Sequence, residues 1–240
     1  MLLKIAITGD TIMTLVRYIP YVVGVMILLF IVVGIIAFRI AKKRREAFRA
    51  IAESLNMSFS KKDPGLLKRL EHFQLFSKGH GRKITNAMQG KTRSVSVTIF
   101  DYDYRLGGNR TAGGSYTSSN VTSQTVIAFQ SPKLNLPVFI LRPEHLLDKL
   151  GNLLGYEDMN FDSYPGFSKE YRLQGRDEAA LQELFTRDVL DYFQEHDGLY
   201  VEGGAERLIF YRWPGTVSPE KIRDFMEQGF TVFNFFKRNG

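Results

Sequence analysis

Residues 18–38 read YIPYVVGVMILLFIVVGIIAF and form a run of 21 residues without a charged side chain. A helix rises about 1.5 Å per residue, so this run covers roughly 30 Å, the thickness of the hydrocarbon core of a bilayer. In lipid an α-helix satisfies its own backbone hydrogen bonds. The run therefore predicts one transmembrane helix over residues 18–38, preceded by a short N-terminal segment over residues 1–17.

A group of basic side chains follows the apolar run. Its members, called the basic cluster below, are Lys42, Lys43, Arg44, Arg45 and Arg49. A cleaved signal peptide has an apolar stretch of roughly 7–15 residues that leads into small residues at a cleavage site, whereas this longer stretch leads into Phe38 and Arg39. We therefore expect an uncleaved, single-pass anchor. Because Lys and Arg concentrate on the cytoplasmic side of a span, the C-terminal part is predicted to lie in the cytoplasm.

The formal net charge of +7 is concentrated beside the apolar run. Residues 39–62 hold eight basic and two acidic side chains, whereas residues 63–240 hold 22 of each. A protein that follows nucleic-acid phosphates normally carries its positive charge on the folded domain, so nucleic acid is not an expected partner. The expected partners are the lipid bilayer, anionic lipid headgroups in contact with the basic cluster, and another protein.

The composition and motifs exclude several kinds of chemistry. The chain has 240 residues, and its 44% hydrophobic and 24% charged side chains are ordinary values for a folded protein. It has no cysteine, which excludes disulfides, thiolate metal sites and cysteine nucleophiles. The four histidines are widely separated, and neither a G-x-S-x-G motif nor a glycine-rich phosphate loop occurs. We therefore expect no cofactor, no resident metal ion and no catalytic residue.

After the apolar run the sequence predicts a basic juxtamembrane helix over residues 39–56 and one cytoplasmic domain over residues 57–240. The clearest strand is 93–104, where Val95, Val97 and Ile99 alternate with polar residues. Further strands are predicted at 57–60, 82–88, 122–129, 138–141, 170–173, 199–202 and 207–212, helices at 64–73, 143–154, 177–193 and from 218, and turns at 89–91 and at Gly203-Gly204. Hairpins between consecutive strands favour a mainly antiparallel sheet packed with helices, which is the α+β class.

Residues 106–120 interrupt this pattern with a stretch in which glycine, serine and threonine dominate. Such a composition buries too little apolar surface to offset the entropy lost on ordering, so we predict a long, flexible hairpin loop. Loops on a rigid scaffold often carry function. Asn109, Arg110 and Tyr116 are therefore candidates for contact with a protein partner.

Several short stretches, which together run over most of the chain, have counterparts in one family. They are the apolar run with its basic cluster, IFDYDY at 99–104, QTVIAF at 124–129, LPVFILRPE at 136–144, FSKEYRL at 167–173 followed by Asp177-Glu178, and VEGG at 201–204. In these stretches the chain resembles a family of uncharacterised, membrane-anchored bacterial proteins with a domain of unknown function. The resemblance implies a single-span bacterial membrane protein, and it implies no known activity, substrate or catalytic residue. With the predicted topology, we expect a single-pass protein of the bacterial inner membrane.

Asp101 and Asp103 are the candidates for a different function. They project from one face of the predicted strand, about 7 Å apart along it. Two carboxylates in this arrangement can bind Mg²⁺ or Ca²⁺, or act as acid and base. The alternative interpretation is that this face of the strand is solvated at its end.

Three functions remain open from the sequence. We expect a membrane-anchored, non-catalytic binding or scaffold domain in the cytoplasm. The first alternative is a membrane-tethered, metal-dependent hydrolase that uses Asp101 and Asp103. The second alternative is a module that binds anionic lipid through the basic cluster.

Overall fold

The structure is a computed structural model, and it describes residues 9–107, 120–144, 157–159, 161, 164–212 and 215–237. The chain divides into two compact units, Met1–Glu46 and Ala47–Gly240. Helix α1 (Gly9–Ser54) supplies the described part of the first unit, and its last turns belong to the second. All strands and the remaining helices lie in the second unit, called the folded unit below.

Helix α1 contains the apolar run and continues through the basic cluster. Its part Arg17–Ser54 includes a window with a mean hydropathy of 3.0, in which none of the residues is buried. Among the described residues, this is the one helix that is long and apolar enough to cross a membrane. An apolar helix near the N-terminus occurs both in membrane anchors and in signal sequences.

A nine-stranded sheet is the centre of the folded unit, and its strand pairs are antiparallel. The strands are β1 (Ser58–Lys62), β2 (His80–Lys91), β3 (Ser96–Leu106), β4 (Asn120–Gln130), β5 (Leu136–Pro143), β6 (Glu157–Met159), β7 (Tyr171–Gly175), β8 (Leu199–Ala205) and β9 (Arg207–Arg212). Their order is β1-β2-β3-β4-β9-β8-β5-β7-β6, so β1 and β6 form the two edges. The predicted α+β class with a mainly antiparallel sheet is confirmed.

Helices and loops pack on both faces of the sheet. The helices after α1 are α2 (Pro64–Leu70), α3 (Gln74–Ser77), α4 (Pro165–Glu170), α5 (Glu178–Leu184), α6 (Arg187–Glu195) and α7 (Ile222–Phe236), and a 3₁₀ turn at Pro219–Lys221 leads into α7. The main core joins one face to the last turns of α1 and to α4, α5, α6 and α7. A smaller second core joins the other face to α2 and α3.

The ladder between β3 and β4 is the longest regular pairing in the sheet. It runs without a register shift from Ser96 opposite Gln130 to Leu106 opposite Asn120. Because side chains alternate along a strand, Ile99 lies in the main core and Phe100 in the second. Each face of this pair is therefore covered, which fixes the register.

Two predicted turns lie elsewhere in the structure. Gly203 and Gly204 pair with Leu208 and Arg207 as part of β8, and the turn falls at Ala205 and the residue after it. Ala205 has a φ of 51°, the left-handed geometry of a tight turn. Likewise, β2 continues to Lys91, and the chain reverses at 92–95, where the amide of Thr92 donates to the carbonyl of Val95.

The helix predicted over 177–193 consists of two helices, α5 and α6. The break falls at Phe185, which leaves helical geometry with a ψ of 69° and is buried in the main core. Amphipathic periodicity does not mark this break because apolar residues continue on both sides of it. Helices α3 and α4 and the three-residue strand β6 were not predicted, because each is too short to show a period.

The folded unit begins earlier than the predicted domain boundary at residue 57. Phe48 and Ala52, near the end of α1, are fully buried in the main core. The last turns of α1 therefore belong to the packed unit. Most of the predicted loop over 106–120 and of the helix predicted over 143–154 lies outside the described residues.

The packing of Phe139 on Gly203 gives a test of the fold. A Cβ built on Gly203 meets the ring of Phe139, at 2.8 Å from Cζ, whereas a Cβ on Gly204 first meets Val138 Cγ2 at 3.6 Å. Phe139 is fully buried and packs against the rings of Phe185 and Phe236, which oppose a shift of its ring. We expect Gly203→Ala to lower the free energy of unfolding by about 1–3 kcal/mol, the usual cost of overpacking, and Gly204→Ala to have a much smaller effect. Denaturant unfolding of both variants checks this, and equal effects would contradict the packing.

Candidate functional site

Asp101 lies in the middle of the β3–β4 ladder and is buried, although it is charged. Its Oδ1 accepts a hydrogen bond from Thr125 Oγ1 at 3.0 Å, and its Oδ2 accepts one from Asn86 Nδ2 at 2.9 Å. Asn86 lies at a register shift in β2, with a φ of 52°. The irregular backbone places the side-chain amide of Asn86 within hydrogen-bond distance of the Asp101 carboxylate. Both oxygens of this carboxylate therefore accept a hydrogen bond.

Asp103 has different surroundings from Asp101. Its carboxylate forms an ion pair with Lys83 at 3.2 Å on the neighbouring strand, and Lys83 is exposed. The described residues contain no group of three or more His, Asp or Glu side chains placed to hold a metal ion. The metal hypothesis stays a prediction, in which a cation at Asp101 competes with Asn86 and Thr125 for the same oxygens.

Thr125 connects Asp101 to a surface segment. Its hydroxyl donates to Asp101 and accepts a hydrogen bond from the backbone amide of Val217 at 2.9 Å. A further bridge joins Gln124 to Gly215. The segment 215–218, called the lip below, is therefore fastened to β4 at two points.

The lip forms one wall of a cleft of about 630 Å³, which lies between the end of β9 and the start of α7. The described residues that line this Arg212 cleft are Arg212, Thr216, Val217, Ser218, Lys221, Asp224, Phe225 and Gln228. Its volume falls within the range of ligand pockets, and its lining includes the apolar residues Val217 and Phe225 beside charged and hydroxyl-bearing residues. Asp101 is thus connected to the cleft through Thr125, which binds both the Asp101 carboxylate and the lip.

Arg212 has a fixed orientation in this cleft. Its Nε and Nη2 donate to Gln228 Oε1 at 3.3 and 3.0 Å, and its Nη1 donates to the carbonyl oxygen of Asp197 at 3.2 Å. All of these acceptors are neutral oxygens, so the hydrogen bonds position the guanidinium without removing its charge. Lys221 is a second cation in the lining, and Asp224 is a carboxylate.

A second polar group, Glu202, lies in the opposite face of the sheet. Its carboxylate accepts hydrogen bonds from the backbone amides of Gln74 at 2.6 Å and Leu75 at 3.0 Å, and from Tyr211 Oη at 3.1 Å. It therefore fastens the start of α3 to β8. Burial, partly offset by these hydrogen bonds and by the charge of Lys78, raises the pKa of Glu202 to about 7.

A chain of hydrogen bonds continues from Arg142 across the neighbouring strands. Buried Arg142 donates to Gln174 Oε1 at 2.9 Å, and Gln174 donates to Asp158 Oδ1 at 2.6 Å. Arg172 pairs with Asp158 at 3.2 Å and forms a bidentate pair with Glu144 at 2.8 and 3.0 Å. Neither Arg142 nor Glu202 was predicted as a site residue. Each is a charged residue within an otherwise apolar strand, and that pattern is the sequence signal for both.

Two members of the basic cluster, Lys42 and Arg49, contact side chains on α1 and β1. Lys42 pairs with Glu46 one turn away at 3.8 Å, and Arg49 stacks over the ring of Phe59 at 5.4 Å. Lys43 is exposed, and Arg44 and Arg45 are half-buried. Asn109, Arg110 and Tyr116, the predicted partner contacts, lie outside the described residues.

Comparison with known proteins gives a likeness of fold. No family model matches the chain, and no curated protein matches it. Among solved structures, the crystal structure of the mycobacterial trehalose monomycolate transport factor A, TtfA, has a similar fold, with a TM-score of 0.56. The two chains are 16% identical, and the match covers 82% of this chain and 92% of that one. At this identity the likeness concerns the fold alone.

The role of Asp101 behind the lip predicts a loss of stability when its side chain is removed. Asp101→Ala leaves the buried donors of Asn86 and Thr125 without their acceptor, which costs about 1–3 kcal/mol for each unsatisfied group. Asp103→Ala removes an ion pair whose lysine is exposed to solvent, and such a pair is worth about 0–1 kcal/mol. Chemical unfolding of the full chain in a neutral detergent compares the two variants. If Mg²⁺, Mn²⁺ or Ca²⁺ stabilises the native chain and neither variant, the metal hypothesis is favoured over the structural role.

The raised pKa of Glu202 predicts a pH-dependent stability. Between its ordinary pKa near 4.5 and its folded pKa of about 7, this carboxyl holds more protons in the folded than in the unfolded chain. The contribution of Glu202 to the free energy of unfolding is therefore fully present below pH 4.5 and is lost as the pH rises to about 7. At about 1.4 kcal/mol per pKa unit, the change is of the order of 3 kcal/mol. Unfolding of the native chain and of Glu202→Gln from pH 5 to 8 measures it, and the stability advantage of the native chain is expected to shrink as the pH rises.

Proposed function

We propose that this chain is a single-pass protein of the bacterial inner membrane whose folded unit binds a ligand or a protein partner without changing it chemically. The apolar run of α1 supports the membrane part, because the window within it has a mean hydropathy of 3.0 and none of its residues is buried. An exposed helix of this kind is stable in lipid and unfavourable in water. The resemblance to a single-span bacterial family supports the same placement.

The orientation in this proposal follows from charge. Residues 39–62 carry eight basic and two acidic side chains, and residues 1–38 carry two basic and one acidic. Since basic side chains remain on the cytoplasmic side, the folded unit faces the cytoplasm. The basic cluster then lies next to the headgroups of the inner leaflet, where each Lys or Arg adds about 1 kcal/mol of attraction to anionic lipid.

The Arg212 cleft is the observation that carries the binding function. It combines a volume of about 630 Å³, convergent polar side chains and a lip that two links fasten to the sheet. A wall that is held in place before a ligand arrives loses less conformational entropy on binding. Asn109, Arg110 and Tyr116 remain the predicted contacts of the loop with a protein partner.

The similar fold of TtfA favours a second candidate function. That protein is described as a transport factor for trehalose monomycolate, and the match covers 92% of its chain. By analogy of fold alone, this chain would also assist the transport of a molecule at the membrane. In this candidate function the folded unit again binds rather than reacts.

The membrane part of the proposal predicts that charges in the apolar run release the protein. In Val25→Arg/Leu29→Arg, each arginine at the centre of the helix costs about 2.5–3.5 kcal/mol on insertion scales. We expect the native chain with a C-terminal tag to remain in the membrane fraction after alkaline carbonate extraction, and the double variant to move to the soluble fraction. Val25→Leu/Leu29→Val is the matched control. A native chain found mainly in the soluble fraction, or a mature chain that begins after Arg45, would contradict the anchor.

A protease experiment tests the orientation. In intact spheroplasts the C-terminal tag is expected to resist added protease, because the folded unit lies behind the membrane. It should become sensitive when detergent opens the membrane. Digestion of the tag in intact spheroplasts would place the folded unit outside and contradict the orientation.

A further inference from the structure

We propose that the Arg212 cleft binds a phosphate-bearing ligand, with Arg212 and Lys221 as the side chains that contact the phosphate. This inference rests on the proposed binding function and deepens it by naming the chemical class of the ligand. It comes from the arrangement of hydrogen-bond donors in the cleft, from the charge of its lining and from the apolar residues in that lining.

Arg212 is oriented with donors to spare. A guanidinium has five N–H groups in a planar fork. Among the described residues, Arg212 uses three of them, two toward Gln228 and one toward the carbonyl of Asp197. Two N–H groups therefore remain for a ligand in the cleft, and the three bonds hold the fork in place before a ligand binds.

Lys221 adds a second positive charge to the same cleft. It lies at the N-terminal end of α7, as the last residue of the 3₁₀ turn, and lines the cleft. Asp224 is the one carboxylate among the described lining residues, so two cations face one anion.

Phosphate fits this donor set better than a carboxylate does. The two remaining N–H groups of Arg212, the three of Lys221 and the hydroxyls of Thr216 and Ser218 outnumber the roughly four lone-pair sites of a carboxylate. A phosphate group offers three strongly accepting oxygens and up to two negative charges. The apolar residues Val217 and Phe225 also line the cleft, so we expect the ligand to carry an organic part next to its phosphate.

The phosphate has two possible sources, a soluble phosphomonoester and the headgroup of a lipid. Both offer the same chemistry to Arg212 and Lys221, and the experiment separates them. The full chain is purified in a neutral, phosphate-free detergent at constant ionic strength. Calorimetry measures binding in the soluble arm, and the fluorescence of Trp213, the single tryptophan of the chain, is recorded in both arms.

In the soluble arm, the chain is titrated with glycerol 3-phosphate, inorganic phosphate and acetate. We expect saturable binding of both phosphates and at least about tenfold weaker binding of acetate, since charge-assisted bonds to phosphate are more numerous. In the lipid arm, the chain is placed in nanodiscs of phosphatidylcholine with or without phosphatidic acid. A fluorescence change that only phosphatidic acid produces, with no response to glycerol 3-phosphate, assigns the ligand to the lipid headgroup.

Charge variants locate the site. Lys221→Gln is expected to weaken phosphate binding about tenfold, and Arg212→Lys, which keeps the charge but loses the fork, also weakens it severalfold. Asp224→Asn removes the opposing charge and is expected to tighten binding severalfold. Arg223→Gln is the matched control, because Arg223 lies between Lys221 and Asp224 in the sequence. Its side chain donates a hydrogen bond to Ser54 Oγ, and it is not among the lining residues of the cleft. The control should bind within about twofold of the native chain.

Several outcomes would overturn the inference. These are the absence of saturable binding in both arms, equal affinity for acetate and phosphate, or equal weakening by Lys221→Gln and Arg223→Gln, which would indicate general attraction by charge. Circular dichroism of each variant establishes that it is folded. A chain that extracts with the membrane but binds no phosphate overturns this inference and leaves the proposed anchor in place. A chain that is found in the soluble fraction but binds phosphate contradicts the proposed anchor and leaves this inference in place.

Discussion

The hydrogen bond between Thr125 and Asp101, in the middle of the β3–β4 ladder, is the interaction on which the candidate site depends. It satisfies a buried carboxylate and turns the hydroxyl of Thr125 toward the amide of Val217. Together with the bridge between Gln124 and Gly215, this hydrogen bond holds the lip against β4. A residue that the sequence singles out as a potential metal ligand therefore has a structural role that reaches the surface.

Each face of the sheet buries one carboxyl group, and the hydrogen-bond donors around the two groups differ. On the main-core face, Asp101 is satisfied by two neutral donors, whereas on the other face Glu202 accepts hydrogen bonds from a helix start and a tyrosine. Buried charges of this kind add little net stability but strongly disfavour alternative pairings, because a wrong register leaves them unsatisfied. The positions of Asp101 and Glu202 thus specify which strands lie side by side as much as they stabilise them.

Local patterns predicted eight of the nine strands and the helices α1 and α7, and contacts between distant residues decided the rest. Alternation identified β3, and the apolar run identified α1, because both signals lie within one element. The turn at Ala205 was missed because Gly203-Gly204 has the composition of a turn but continues the ladder under Phe139. Glu202 contacts Gln74, 128 residues away, and Thr125 contacts Val217, 92 residues away, so no spacing in the sequence indicates either link.

The edge strand β1 has a consequence for how copies of this chain meet. Lys61 and Lys62 are exposed at the end of β1, where the backbone of an edge strand offers unpaired hydrogen-bonding groups. Confinement to a two-dimensional sheet of lipid would raise the encounter rate between copies of such an edge. Because like charges repel, Lys61 and Lys62 on two approaching copies oppose the pairing of one β1 edge with another.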